Sequence, residues 1–358
     1  MTPTKKVPSI TEWLSEINYK QLDVFRREDA EKRDRLELLN KIIGLPYLKA
    51  YKFTLSEVLN HSIRFEKLLS ASGNTKFLFK LLPTYSKLPK LRTRDKNLKH
   101  CVQWLKKQKI DDDKYKIEIV PIDKNEKNSA VFCVNKNGIW GEIINGPIWN
   151  FSKGTYKKQP TIFSFDFKNW YFSSHNKLTE KFIKKAIKKI KIKKNSQIKT
   201  LKNKIDIEIT SQNYLQGYFE CIQRSNDLLF VDYNRRLFKI IEKSLTTISH
   251  GIDLLHGTCL GPGKATGKAV IIKNLNKKIN FPNGSIIICH TANFEMLPYL
   301  KKASGIITER GAVLSHAAIV CRELNMPFVA HVKNATEKIK NGQKIFIDAD
   351  KGIVKIIK

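Results

Sequence analysis

The stretch from Ser304 to Pro327 places one histidine, His316, between a tight loop and the first turn of a helix. Ser304 to Thr308 is a short apolar run bounded by polar and glycine residues, which predicts a buried strand. Further on, Ala317, Ala318, Ile319, Val320 and Leu324 supply an apolar helical face. Asn325 is suited to the left-handed stop position, and Pro327 bars the helix from continuing. His316 therefore falls near a helix N-terminus, where free N–H groups and the helix dipole favour an anion. Neutral imidazole is a good nucleophile near pH 7, and a phosphoryl group on it passes on readily. Phosphoryl transfer is the chemistry this placement suits. Gly311 and Ser315 would shape the loop and hold the phosphate, with Arg310 adding positive charge.

These residues closely resemble the phosphohistidine signature of the phosphoenolpyruvate-utilising enzymes, the phosphoenolpyruvate synthase and pyruvate phosphate dikinase type. Gly311, Ser315, His316, Ala317, Ala318, Arg322, Glu323 and Pro327 fall into its order. Gly257 to Val270 resembles the first strand of that family's mobile domain. Asn334 to Thr336 and Asn341 to Val354 resemble its closing hairpin, and the Asp-Lys-Gly turn between alternating segments is itself a hairpin signal. The resemblance implies a swivelling β/β/α phosphohistidine domain over residues 255–358. It implies phosphotransferase activity, with ATP and Mg2+ as donor and cofactor. Relatives swing this domain between donor and acceptor sites, and the three glycines from His256 to Gly263 make that stretch the expected hinge. Two positions depart from the pattern. Ala312 replaces the second glycine and narrows the loop's backbone freedom. Leu314 replaces a threonine resembling a regulatory phosphorylation site, so that switch is expected to be missing.

Upstream of this domain the fold class reads as multidomain α+β / α/β. Residues 1–95 form a mainly helical region. Ser9 to Glu12 and Thr54 to Glu57 have capping-box spacing. Gln21 to Ile43 is a charged helix with a leucine and isoleucine face, ended by Gly44 and Pro46. Leu55 to Leu69 is a second helix, and Pro83 to Pro89 a linker. Residues 96–254 form a mixed α+β domain, with strands at Ile117–Val120, Ala130–Val134, Gly141–Ile144 and Ile162–Phe165. Helices are expected at Leu178–Lys193 and Leu215–Leu254.

In the family an ATP-grasp domain loads the histidine, and this middle domain is faintly similar to pieces of that fold. On that similarity Arg92 and Arg94 are candidate phosphate ligands and Glu142 a candidate for the metal side of a nucleotide site. No complete glycine-rich phosphate loop is present. Gly261-Pro262-Gly263 is not a dinucleotide fingerprint, since Thr266 occupies the third glycine's place. No phosphoenolpyruvate-binding barrel is expected in this chain. The reading is a phosphotransferase, or a subunit of one, carrying a phosphoryl group on His316 between an ATP site and an acceptor. A partner protein would supply an ATP-grasp or acceptor domain. The alternative is a non-catalytic carrier or regulatory module loaded by a separate kinase. The acceptor stays open among pyruvate, an amino acid, a sugar and a drug.

The net charge of +33 invites nucleic acid as a partner. Lysine greatly outnumbers arginine and the excess is spread along the chain, so nucleic acid is not the expected partner. The densest run, Lys181 to Lys194, spaces Ile183, Ile187 and Ile190 as one helical face and reads as a solvated helix flank. Six cysteines without paired C-x-x-C spacing argue against a zinc site or a disulfide framework and fit a reducing cytoplasm. No apolar run approaches the roughly 18 residues that cross a bilayer, and Met1 to Pro8 lacks an apolar signal core. His61, His100, His175, His250, His290 and His331 lack partner spacing and read as structural or solvated, so no metal site is expected.

Overall fold

The computed structural model describes residues 9–84, 88–108, 110–111, 113–123, 125–153, 159–242, 255–273, 275 and 279–357. His250 and the end of the predicted Leu215–Leu254 helix lie outside them. Three helices come first: α1 (Ile10–Glu16), α2 (Leu22–Ala30) and α3 (Lys32–Ile43). The Ser9/Glu12 capping box forms at α1. The single helix predicted over Gln21–Ile43 is two helices meeting at Glu31. Gly44 ends α3 in the left-handed conformation at φ 69°, a geometry that costs little only at glycine.

Next come β1 (Tyr51–Thr54), α4 (Leu55–Leu59), α5 (Ile63–Ser72), β2 (Lys76–Pro83), β3 (Leu91–Lys96), α6 (Leu98–Lys106) and β4 (Tyr115–Ile122). The helix predicted over Leu55–Leu69 breaks where His61 takes φ 52° and Ser62 caps α5. The antiparallel sheet runs in the order β1-β4-β2-β3. Because β1 and β2 pair with β4, this sheet crosses the boundary expected near residue 95. Strand alternation sorts its side chains. Phe53, Phe77, Phe79, Ile117 and Ile119 pack on α4–α6, and Lys80 and Glu118 take the other face in direct register.

The second sheet is antiparallel, in the order β10-β9-β5-β6-β7-β8. Its elements are β5 (Glu126–Asn135), β6 (Gly138–Asn145), α7 (Trp149–Lys153), β7 (Thr161–Phe165), β8 (Trp170–Phe172), α8 (Lys177–Lys189), α9 (Asn195–Lys204), β9 (Gly217–Arg224), β10 (Asp227–Asn234) and α10 (Arg235–Glu242). Leu215 to Glu242 is thus no continuous helix. Ser225, at φ 51°, turns a hairpin, and the aromatic residues of its strands stack in the sheet: Phe219 on Phe132 at 5.2 Å and on Tyr233 at 4.9 Å. Such side chains favour strands when cross-strand partners are present. One face of the sheet buries Ala130, Phe132, Phe219 and Phe230 with Leu36 and Leu39 of α3 and Phe182, Ile183, Ala186, Ile187 and Ile190 of the lysine-rich segment. The lysines of α8 take its solvent side.

The C-terminal lobe comprises β11 (Leu255–His256), β12 (Thr258–Gly261), β13 (Lys264–Ile272), β14 (Ile286–Cys289), α11 (Leu297–Leu300), β15 (Gly305–Thr308), α12 (His316–Glu323), β16 (Phe328–Ala330), α13 (Ala335–Lys338), β17 (Lys344–Asp348) and β18 (Ile353–Ile357). The strand order is β11-β18-β17-β13-β14-β15-β16-β12, with β13 to β16 parallel. The stretch expected to be a hinge, His256 to Gly263, is strand over most of its length. Its glycines serve close approach rather than looseness: a Cβ at Gly257 would lie 2.3 Å from the Ala330 carbonyl oxygen, and one at Gly261 2.6 Å from that of Met326.

This lobe docks on the remaining face of the second sheet. Ala312, Leu314 and Ile319 share one buried cluster with Val131, Cys133, Ile144 and Tyr218 of that sheet and with Leu14, Phe25 and Leu237. The two departures from the family pattern, Ala312 and Leu314, are therefore interface residues. Leu314→Ala is expected to destabilise the chain by about 2–5 kcal/mol through lost burial and a residual cavity, read as a lower midpoint in chemical denaturation.

Candidate functional site

Ser315 is the N-cap of α12 and accepts the Ala318 N–H at 3.2 Å, the arrangement that hydroxyl residues adopt at helix starts. That leaves its own O–H free to donate to an anion. Asn325 takes φ 50° past the helix end, as its residue type predicts. His316 is half-buried, its ring edge-on to Trp13 with centroids 6.4 Å apart. Its Nδ1 is enclosed and has no hydrogen-bond partner among the described residues. Burial, followed by the charge of Arg92, lowers its pKa to about 4, so the ring is neutral and nucleophilic near pH 7. Glu12, Lys32 and Asp29 also act on it. These are residues of a charged cleft between the two sheets.

The cleft follows from strand register, since residues directly opposite one another share a face. On the first sheet Arg92 is opposite Lys80, and Lys80 is opposite Glu118. On the second, Glu142 is opposite Val131, Val131 opposite Glu220, and Glu220 opposite Asp232. A mainly basic row thus accompanies a mainly acidic one. Helices α2 and α3 lie against both. Lys32 is 3.2 Å from both Asp232 and Asp29, Lys90 is 2.6 Å from Asp29, Arg33 is 3.8 Å from Glu118, and Lys80 pairs with Glu118. Arg35 and Arg235 brace this arrangement through Glu28.

Burial alone would raise the pKa of Glu118, but Lys80 and Arg33 bring it down to about 2. Lys80 is depressed to about 7, by burial first and then by Lys90, Arg33 and Lys32, with Glu118 opposing. We read this tightly coupled pair as charged, because Glu118 has two cations within 4 Å. The crowding of four cations around these carboxylates is a setting that suits a phosphate.

Of the predicted site residues, the fold brings His316, Ser315 and Arg92 toward this cleft. Arg92 pairs with Glu12 at 2.6 Å. Arg94 shares the same sheet face; its guanidinium lies 5.7 Å from the Trp149 ring centroid, and burial with Arg92 lowers its pKa. Gly311 is buried, with Ala330, Leu260 and Thr308 close to where its Cβ would be. Arg310 is exposed. Glu142 is not poised for a nucleotide or metal: both its oxygens accept backbone N–H groups of the histidine loop, from Val313 at 2.9 Å and Leu314 at 3.3 Å. Burial raises its pKa to about 7, with those bonds and Arg322 opposing.

Lys80, Glu118, Glu220 and Asp232 were missed in the sequence. The signal available was a charged residue within an apolar strand, as in Phe79-Lys80-Leu81 and Ile117-Glu118-Ile119. For magnesium, Glu220 and Asp232 fit. They are cross-strand neighbours, and Asp232 Oδ1 is buried without a hydrogen-bond partner among the described residues. Magnesium is commonly bound through one or two carboxylates, with phosphates and water completing its shell. Among the described residues no three His, Cys, Asp or Glu side chains group to hold a metal, and no helix is long and apolar enough to cross a membrane.

Comparisons with known proteins meet this geometry in the C-terminal lobe. A probable phosphoenolpyruvate synthase of Methanothermobacter thermautotrophicus is 41% identical over 101 residues, 28% of this chain and 15% of that protein. The phosphoenolpyruvate synthase of Aquifex aeolicus is 40% identical over 99 residues, 28% of this chain and 12% of its own length. The matched part thus spans under a sixth of either relative. Among solved structures, a D-alanine-D-alanine ligase from Coxiella burnetii aligns with 63% of this chain and 55% of its own at a TM-score of 0.32 and 10% identity, too remote to bear on fold or function. A family model described as PEP-utilising enzyme, mobile domain, matches residues 281–352. The C-terminal lobe, which carries His316, is thus a domain of the kind found as the mobile domain of phosphoenolpyruvate-utilising enzymes.

Proposed function

We propose that this chain is a phosphotransferase component in which His316 takes a phosphoryl group from ATP held in the cleft between the two sheets and hands it to an acceptor. The observation that carries the reading is the docking of a neutral, half-buried imidazole beside a row of cations and a pair of carboxylates. Arg92 and Lys80 would neutralise phosphate oxygens, and the Ser315 hydroxyl with the α12 N-terminus would receive the transferred group. Glu220 and Asp232 would hold magnesium, which supplies charge neutralisation on the phosphates. The His316 lone pair attacks phosphorus, the P–O bond to the nucleotide breaks, and its electron pair leaves on the nucleotide oxygen. The acceptor and any partner that supplies its site belong to the same proposal. The test is incubation of the full chain with labelled ATP and magnesium. An acid-labile, alkali-stable phosphate on His316 supports loading within this chain.

One observation favours the second reading, loading by a separate kinase: Lys32 and Asp29 already pair with Asp232 and Lys90 inside the cleft. In that case labelling would require an added kinase and would survive loss of Lys80. Either way, the enclosed Nδ1 leaves attack to Nε2. Phosphorus–proton correlation NMR of the labelled protein should therefore find the phosphate on Nε2, with under about a tenth on Nδ1, since a tenfold preference needs only about 1.4 kcal/mol.

A further inference from the structure

We propose that Glu142 is a positioning residue: from the middle of β6 its carboxylate clamps the backbone of the histidine loop and so fixes where His316 meets the cleft. This rests on the reading of His316 as the phosphoryl carrier. Glu142 is 1% exposed, and its two oxygens take successive amides, those of Val313 and Leu314. Arg322 of α12 donates to the Val313 carbonyl at 2.8 Å, and the Ser315 amide closes the turn on the Ala312 carbonyl at 2.9 Å. The turn from Ala312 to His316 is therefore tied to α12 through Arg322 and to the sheet through the Glu142 carboxylate.

Stability alone does not explain a carboxylate here. Ala312, Leu314 and Ile319 already bury an apolar contact around it, and an ionisable group placed among them costs free energy that an apolar side chain would not. Apolar contacts are non-directional and tolerate sliding. Two hydrogen bonds to consecutive amides do not. The anchor point is also tied to the cleft. Glu142 and Glu220 are both opposite Val131, on its two sides, so they lie two strand spacings apart, about 10 Å. Asp232 is one strand further along the row. A rigid sheet thus sets the distance between the clamp and the carboxylate pair.

Amide exchange of the full chain, resolved to Val313 and Leu314, tests the clamp without reference to activity. At pH 8, where the carboxylate is ionised, both amides should exchange about 10- to 100-fold faster in Glu142→Ala, the loss expected for hydrogen bonds to a charged acceptor. Glu142→Gln, nearly isosteric and keeping one acceptor, should recover part of the protection. Core amides such as those of Phe132 and Ile287 report whether each variant is folded. In labelling assays kcat should fall in parallel with exchange while KM for ATP stays unchanged. Wild-type exchange at both amides in Glu142→Gln and Glu142→Ala overturns the clamp. A raised KM with unchanged kcat also overturns it, since Glu142 would then act on the nucleotide. Wild-type protein with both amides protected and no phosphate on His316 under any donor supports the clamp and overturns the phosphoryl-carrier reading instead.

Discussion

His316→Ala should abolish the acid-labile phosphate of the full chain, a loss limited only by the detection of the label. Five other histidines have partners of their own: His61, His175 and His290 pair with Glu66, Glu180 and Glu309, His100 meets the Asn97 side chain, and His331 meets the Thr258 hydroxyl. His316 has its ring in the cleft's field and its Nδ1 enclosed. The wild-type rate carries a second signature. An ordinary imidazole loses half its nucleophilic form near pH 6.5. In His316 burial and Arg92 lower the pKa to about 4, so labelling should hold nearly constant from pH 8 to about pH 5. The same shift bears on stability with a definite sign. Between pH 6.5 and about 4 the unfolded chain binds a proton that the folded chain refuses, so this contribution is present above pH 6.5 and lost on acidification. It amounts to something on the order of 3 kcal/mol. Denaturation midpoints should fall over that window in wild type and fall less in His316→Ala. A rate that drops with a midpoint near 6.5 would show the ring to be solvated.

Lys80→Met and Glu118→Leu should each destabilise the chain by about 3–5 kcal/mol, because each leaves the other charge buried. The pair is 5% and 3% exposed. Arg33, 3.8 Å from Glu118 and already donating to the Leu48 carbonyl, does not replace Lys80. The double variant should recover most of that loss, since only Arg33 is left without its carboxylate and it keeps its bond to the Leu48 carbonyl. If the cleft holds the donor's phosphates, that stable double variant should still load His316 about 10²–10³-fold more slowly, the usual cost of removing one electrostatic contact to transferring charge. Stability restored with loading intact would assign Lys80 and Glu118 a purely structural part and move the donor site elsewhere.

Legibility from sequence followed the range of the interactions involved. The His316 loop, the helix start beside it, the left-handed Asn325 and the hairpin β17–β18 could be read directly, because turn chemistry, stop signals and alternation act over a few residues. The same holds for the Ser9 and Thr54 capping boxes and for strands β4 to β7. Leu215 to Glu242 was misread as helix because its aromatic residues become strand residues only through cross-strand stacking on Phe132. The glycines from Gly257 to Gly263 read as loose, whereas Gly257 and Gly261 fit close against the Ala330 and Met326 carbonyls and Gly263, at φ 114°, lies against the Pro327 ring.

By itself the sequence determined which histidine is the candidate nucleophile and the local frame around it, since a strand, a tight loop, a helix start and a proline follow one another between Ser304 and Pro327. Only the tertiary structure decided what that nucleophile faces. Lys80, Glu118, Glu220 and Asp232 come from four strands of two sheets, and their assembly depends on register, which no local pattern encodes. Glu142 is the sharpest instance. Its residue type suited a metal or a nucleotide, but docking of the C-terminal lobe gave both its oxygens to the loop of His316, because a buried carboxylate takes the nearest amides that can satisfy it.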